Sequence, residues 1–556
     1  MVLTFLMILG GFLEMLSVSL MLPFMNMVMN PNQTMKSKYV QYVCNILGIT
    51  EISTFIVFIA IVVATLYILK NVFLMFEYNC QYRFVFNSMY LTQKKLLHNY
   101  IHRPYEFFLT ANTADIMRII VNDTEQAYGL LLSLLSLLSE MMVCIVLLIT
   151  VCIIAPMITF CMAFLLITIL GIILKIIRPV LKTYGEEYIK SYTGMNKWLL
   201  QSIEGIRDVK VSQKEVFFEK SYEINGKKYA TARRIHTILG LVPRFLIEAV
   251  SMSTIFLVVA YMVAQGTPLI DIVPVVTTIT MAAVRLLPAI NRISSSMASV
   301  AFMSNMVDIM SNNLDNLIDS RIEVPITEKR NTFFKTDIEL KDIIYKYPAG
   351  EKNVLDRATL KIKKGEAIGI VGISGSGKST TADLILGLLR PNHGSVTVDN
   401  VEINSNITSW LNCIGYIPQT IFLLDDSVKA NVAFGIEKSE INDEQVWKAL
   451  EEAALSEYVK TLPDGLNTKL GERGMRLSGG QRQRIGISRA LYNNPEVIIF
   501  DEATSALDHE TEAAIMESIE KLQGKKTIII IAHRKSTIEK CDHIYRVENG
   551  QIKLER

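Results

Sequence analysis

Residues Gly372 to Thr380 read Gly-Ile-Ser-Gly-Ser-Gly-Lys-Ser-Thr, a full match to a glycine-rich loop closed by Lys and then Ser or Thr. Such a loop binds phosphate. Gly372, Gly375 and Gly377 allow positive φ and leave no side chain between the backbone N–H groups and a phosphate, so successive amides converge on its oxygens at a helix N-terminus. Lys378 brings a point charge to the β and γ phosphates and Ser379 a hydroxyl to Mg²⁺, with Ser374, Ser376 and Thr380 in the same cradle. The flanks are those the chemistry requires. An apolar run, Ala367-Ile368-Gly369-Ile370-Val371, precedes the loop and a helical pattern, Thr381 to Leu389, follows it.

A second group of residues carries the rest of the reaction. Val497-Ile498-Ile499-Phe500-Asp501-Glu502 reads as a buried parallel strand that delivers two acids at its carboxyl end. Asp501 would hold Mg²⁺ through its water shell, and Glu502 would orient and deprotonate the attacking water. Leu477-Ser478-Gly479-Gly480-Gln481 lies before that strand. Ser505-Ala506-Leu507-Asp508 and His533, behind the apolar run Thr527 to Ile531, come after it. In order, wording and spacing these motifs resemble the ATP-binding cassette family over the whole C-terminal part of the chain.

The resemblance implies ATP and Mg²⁺ as cofactors and assigns further roles. Tyr347 would stack on adenine, and Gln419, in Tyr416-Ile417-Pro418-Gln419, would belong to the loop that senses Mg²⁺ and the membrane domain. His533 would hold the γ-phosphate and the water. Ser478, Gly480 and Gln481 would contact the γ-phosphate of a nucleotide bound to a partner subunit. Singly, each has a plainer reading: Tyr347 as a strand aromatic after the alternating Ile338-Glu339-Leu340-Lys341, and His533 as a structural histidine. The constellation favours function.

The elements that position these groups follow from composition. At 556 residues and 50 % hydrophobic, the chain is too long and too apolar for one soluble domain. A net charge of +2 with 20 % charged residues suggests no polyanionic partner, so no nucleic acid. The seven cysteines show no C-x-x-C spacing and read as free thiols. Six apolar segments reach the ~20 residues that cross a bilayer: 2–29, 53–76, 129–155, 157–177, 238–263 and 269–290. Ile56 to Leu69 and Phe164 to Ile173 are apolar on nearly every face, unlike the striped helices of a soluble core. Thirteen Lys and Arg residues run from Lys175, at the end of span four, to Arg234, before span five, whereas the turns at Pro156 and Gln265 to Pro268 carry none, which places the long loops in the cytoplasm. The first 28 residues do not read as a cleaved signal, since no basic region precedes a run too long for one. Domain boundaries are expected at 1–310 for the membrane domain, 311–332 for a polar linker and 333–556 for the nucleotide domain.

The arrangement resembles a half-transporter of the ABC exporter type. The implied fold is an α-helical membrane domain of six transmembrane helices, the type I exporter arrangement, followed by an α/β P-loop nucleotide-binding domain with a helical subdomain. The Ser478 loop must face a Gly372 loop from another copy, so a dimer is implied. Glu502, Gln419, His533 and the Ser478 loop are all intact, which favours a homodimer. Segments Tyr105 to Leu109 and Val209 to Phe218 resemble the coupling helices of exporters; the plainer reading is that Phe107, Phe108, Phe217 and Phe218 pack between long helices. An amphipathic stretch, Thr34 to Gly48, reads as a helix on the outer membrane surface. With Glu14, Ser17, Leu20, Pro23 and Phe24 in span one, and Arg285 to Arg292 ending span six, the chain looks most like bacterial flippases of lipid-linked oligosaccharides. Those flippases begin with an elbow helix and a basic N-terminus, whereas here span one starts at Val2. The rival is a multidrug, lipid or peptide exporter. An ATP-gated channel shares the architecture, and a soluble DNA-acting ATPase is excluded by the spans.

Four arginines could hold cargo. Arg285 and Arg292 lie on one face of span six, ~10 Å apart; Arg244 sits in span five and Arg83 on the extension of span two. A guanidinium at such depth costs ~2.5 kcal/mol or more without water or a partner. Pairing of Arg244 with Glu248 and of the span-six arginines with Glu14 or Glu140, and snorkelling of Arg83, is the plain explanation. A bidentate clamp on a diphosphate headgroup is the sharper one.

Composite sites have a direct test. Ser478→Arg in one subunit and Lys378→Ala in the other damage a single site of a mixed dimer, so ATPase activity should partly return on mixing two inactive variants. Absence of recovery in dimers with verified subunit exchange would mean that each site is built within one chain.

Overall fold

The long membrane helices form because their apolar halves can face lipid on every side. The computed structural model describes residues 2–20, 24, 27–28, 40, 42, 45, 51–154, 156–266, 289–302, 334–348, 350–471, 474–502, 512–513, 516–517, 520–532 and 538–556. The chain divides into two units, Met1–His102 with Asn112–Ile322, and Arg103–Ala111 with Glu323–Arg556. The linker at 311–332, most of the 34–48 stretch and residues 269–288 of span six lie outside the described residues.

In the first unit, helix α1 covers Val2–Ser19 and α2 covers Ile52–Ile101. The short α3, Tyr105–Thr110, belongs to the second unit. Helix α4 covers Thr124–Ile154, α5 Pro156–Glu204, α6 Glu215–Ala264 and α7 residues 289–302. The 50 residues of α2 span ~75 Å at 1.5 Å each, more than twice the hydrocarbon thickness. Its first half exposes Val57, Ile61, Ile68, Leu69 and Val72, as a lipid-facing helix does. Among the described residues, Ser53–Ile101 and Asp115–Val146 are long and apolar enough to cross a membrane by length and composition.

Beyond the apolar halves, α5, α6 and α7 pack through aromatic rings. Tyr188 lies 5.1 Å from Tyr229 and 5.2 Å from Phe302. Gly185 makes this approach possible, since a Cβ there would stand 2.3 Å from the Phe302 carbonyl oxygen. Trp198 meets Phe217 and Phe218 edge to face at 5.8 and 6.1 Å, the packing role that the plainer reading gives these rings.

Among the described residues, buried charges of the bundle meet polar or charged partners. Lys70 of α2, 2 % exposed, meets Glu14 of α1 at 2.7 Å. Glu77, also on α2, accepts hydrogen bonds from Gln81 at 3.0 Å and Ser139 at 3.3 Å, and its carboxylate lies so close to Gly10 that a Cβ there would stand 2.2 Å from Oε2 and push it aside. Arg292 of α7 binds Glu140 of α4, with Nη2 donating to Oε2 at 3.1 Å.

The second unit is an α/β domain. One sheet is antiparallel, in the order β2-β1-β4-β5, with β1 Asp337–Tyr345, β2 Leu355–Lys363, β4 His393–Val398 and β5 Val401–Glu402. The other runs β10-β9-β3-β8-β7-β6, with β3 Ala367–Val371, β6 Ile414–Ile417, β7 Val497–Asp501, β8 Thr527–Ile531, β9 His543–Glu548 and β10 Gln551–Leu554. Strands β9, β3, β8, β7 and β6 pair parallel. Every residue of β7 and β8 is buried, as strands covered on both faces must be. Between β6 and β7 come the helices Val428–Val432, Asp443–Glu452 and Ser456–Thr461, the helical part of the domain. Trp410 is fully buried and donates its indole N–H to the Ile385 carbonyl at 2.7 Å.

The Glu14–Lys70 pair makes a stability prediction. Lys70→Met removes the buried ammonium from the half-buried Glu14 carboxylate and should cost ~3 kcal/mol, whereas Glu14→Gln with Lys70→Met should recover most of it. The midpoint of heat-induced loss of monodisperse protein in detergent reads both. A double variant no more stable than the single one would remove the pairing argument.

Candidate functional site

The parallel register sets the site. Ile370 of β3 and Asp501 of β7 both lie opposite Ile531 of β8, and Ile417 of β6 lies opposite Phe500. The carboxyl ends of four strands therefore stop at one level, and the groups that follow them gather on one edge of the sheet. After β3 comes the glycine loop, then helix α8, Lys378–Ile385, which starts on Gly377. Gly375 and Gly377 take φ of 79° and 108°, the left-handed region glycine enters without strain.

Lys378 is buried, and its ammonium donates to the carbonyls of Gly372 at 3.0 Å and Ile373 at 3.1 Å. It is thus held inside the loop where a phosphate would lie. The hydroxyl oxygen of Ser376 is buried without a hydrogen-bond partner among the described residues, which suits a cradle completed by phosphate oxygens. Ser374 belongs to the same loop, and the hydroxyls of Thr380 and Tyr347 share a 3.0 Å hydrogen bond.

At the end of β7, Asp501 accepts from Ser379 through Oδ1 at 3.5 Å and from Tyr416 through Oδ2 at 3.3 Å. Burial, then the neighbouring Glu502, pushes its pKa up. Glu502 has φ 49°, an uncommon conformation for a non-glycine residue, while its amide still donates to Ile531 at 2.9 Å. Its carboxylate accepts from the Gln419 side chain at 2.7 Å. The structure therefore joins Gln419 to Glu502 and Ser379 to Asp501. No group of three or more His, Cys, Asp or Glu side chains that could hold a metal occurs among the described residues. The Ser379 hydroxyl and the Asp501 carboxylate fit Mg²⁺ that arrives with nucleotide phosphates supplying further oxygens, while the Gln419 amide is bonded to Glu502.

Ser478 caps helix α9, Gly479–Tyr492, in a reciprocal box: its hydroxyl accepts from the Gln481 amide at 3.2 Å, and its own amide donates to the Gln481 side chain at 2.9 Å. Gly480 lies in the first turn. Among the described residues no hydrogen bond of this motif reaches the Gly372 loop. His533 and Ser505 to Asp508 lie outside the described residues, as does Arg285. Arg83 and Arg244 are exposed and form no ion pair among the described residues. Arg292 is engaged by Glu140, one of the partners that the plain explanation names, and its side chain stays 54 % exposed.

Two site residues were not singled out from sequence. Tyr416 was read only as part of the Gln419 motif. Asp383, one turn beyond Ser379 on α8, has its carboxyl pushed up to about 6 by burial and by Asp501. An acid four residues past the loop serine was the available signal.

Residues 355–505 match the family model "ABC transporter", and residues 1–286, over half of the chain, match "ABC transporter transmembrane region". The chain belongs to the ABC transporter family: a fused transmembrane region and ATP-binding cassette with the type I exporter fold. It is 30 % identical over 394 residues to the uncharacterized ABC transporter ATP-binding protein YwjA of Bacillus subtilis, covering 68 % of this chain and 67 % of that one. It is 42 % identical over 219 residues to an ATP-dependent lipid A-core flippase of Pseudoalteromonas translucida, covering 39 % and 37 %. The chain spans less than half the length of several curated relatives it matches. A bacterial Atm1-family ABC exporter solved with ATP bound shares the fold, with a TM-score of 0.74 at 22 % identity, over 99 % of this chain and 94 % of that one.

The position of Glu502 generates a kinetic prediction. Glu502→Gln leaves the phosphate loop untouched, so nucleotide binding should persist while turnover falls by ~10² to 10⁴. Steady-state hydrolysis within a few-fold of wild type would show that Glu502 is not the base.

Proposed function

We propose that the chain is one half of an ATP-driven exporter whose cargo is a lipid-linked oligosaccharide on a polyprenyl diphosphate. Two copies form a homodimer in the cytoplasmic membrane, with the nucleotide domains in the cytoplasm. ATP and Mg²⁺ bind at the Gly372 loop, closed by Ser478, Gly480 and Gln481 of the other copy. The observation that carries the ATPase reading is the shared level of β3, β6, β7 and β8, which brings Ser379, Asp501, Gln419 and Glu502 to one edge. Hydrolysis to ADP and phosphate then opens what two bound ATP molecules close, and the membrane helices switch between inward-facing and outward-facing states.

The cargo reading rests on the likeness to lipid A-core flippases and on arginines in the inner half of the bundle. Although Glu140 holds it, the Arg292 side chain is 54 % exposed, so part of its guanidinium is open to an anion. The same pairing favours a second reading, in which Arg292 is structural and the protein exports another amphipathic or peptide cargo.

Proteoliposomes separate the two readings. Arg285→Ala with Arg292→Ala should abolish flipping of a polyprenyl-diphosphate glycan and retain ATP hydrolysis. Unchanged flipping would remove the clamp, and loss of folded protein would favour the structural role.

A further inference from the structure

We infer that Tyr416 is the positioning residue of the Mg²⁺ site, acting through Asp501. In parallel pairing Tyr416 lies opposite Ile499, and Asp501 lies two residues further along β7 on the same face. That step is about 6.6 Å, a span that a tyrosine side chain leaning along the strand covers. Its hydroxyl reaches Oδ2 of Asp501 at 3.3 Å.

Among the described residues, Asp501 has two donors. Ser379, on the phosphate-loop side, is at 3.5 Å, the outer limit of a hydrogen bond, so the better-placed bond is that of Tyr416. With Oδ2 held from behind, Oδ1 points toward the Ser379 hydroxyl, where Mg²⁺ and its waters would be bound. The surroundings make the restraint necessary. The half-buried Asp383 carboxylate lies near enough for like charges on it and Asp501 to repel. Lys378, the nearby cation, is occupied by loop carbonyls. A side chain of the same shape without the hydroxyl would leave Asp501 free to turn away from the metal.

The inference rests on the reading of the Gly372 loop as an Mg²⁺·ATP site, and the test keeps the two separate. Full-length wild type and Tyr416→Phe in detergent are compared by Mn²⁺ electron paramagnetic resonance with ATP bound, and by fluorescent-nucleotide binding in EDTA. Tyr416→Phe should weaken Mn²⁺ binding about tenfold, the effect typical of losing an outer-shell partner, and leave nucleotide binding in EDTA unchanged. The same pair of measurements in an Asp501→Asn background shows whether Tyr416 works through Asp501: Tyr416→Phe should then add less than twofold. Equal Mn²⁺ affinity of wild type and Tyr416→Phe would overturn the inference, as would a full tenfold loss persisting without the Asp501 carboxylate. Failure of wild type itself to bind nucleotide would count against the site reading instead.

Discussion

Everything in the nucleotide domain depends on burying β7 and β8 on both faces. A strand made only of Val, Ile and Phe has one place for a polar group, its end, and Asp501 occupies it. Because β3, β6 and β7 share this register with β8, their ends cannot drift apart without exposing isoleucines to water or breaking ladder bonds. The catalytic edge is therefore a by-product of core packing. Just beyond that edge the regular strand backbone ends, and Glu502 takes a left-handed conformation and meets Gln419.

The membrane unit solves an opposite problem. Its solvent is apolar, so each buried charge is costly, and among the described residues two carboxylates meet a cation from a different helix: Glu14 with Lys70, Glu140 with Arg292. Glu77 is held by neutral donors instead. These links join α1, α2, α4 and α7, so the polar side chains that cost most to insert also fix which helices are neighbours.

The phosphate loop, the acids of β7 and the Ser478 motif were legible because each needs a fixed residue type at fixed spacing in one short stretch. The helices that cover spans one to five among the described residues were legible from composition alone. Tyr416 and Asp383 were not, because their importance arises across strands and helices 85 and more residues apart in sequence, and a tyrosine in an apolar run carries no local signal. Lys70 escaped for a related reason: inside α2 it reads as one charge at a helix border, and its partner lies 56 residues away. Tyr347 was legible as to place, but not its hydrogen bond to Thr380.

Helix α3 belongs to a unit from which the chain on both sides of it is excluded. Nine residues, Arg103–Ala111, group with the C-terminal part, and the Glu106 carboxylate accepts from the Arg390 backbone amide at 3.2 Å. In evolutionary terms the cassette is not a separable cartridge. A recombination event that exchanged only the stretch after the linker would import a domain lacking one of its own pieces, so α3 and the surface around Arg390 are bound to be inherited, and to diverge, together.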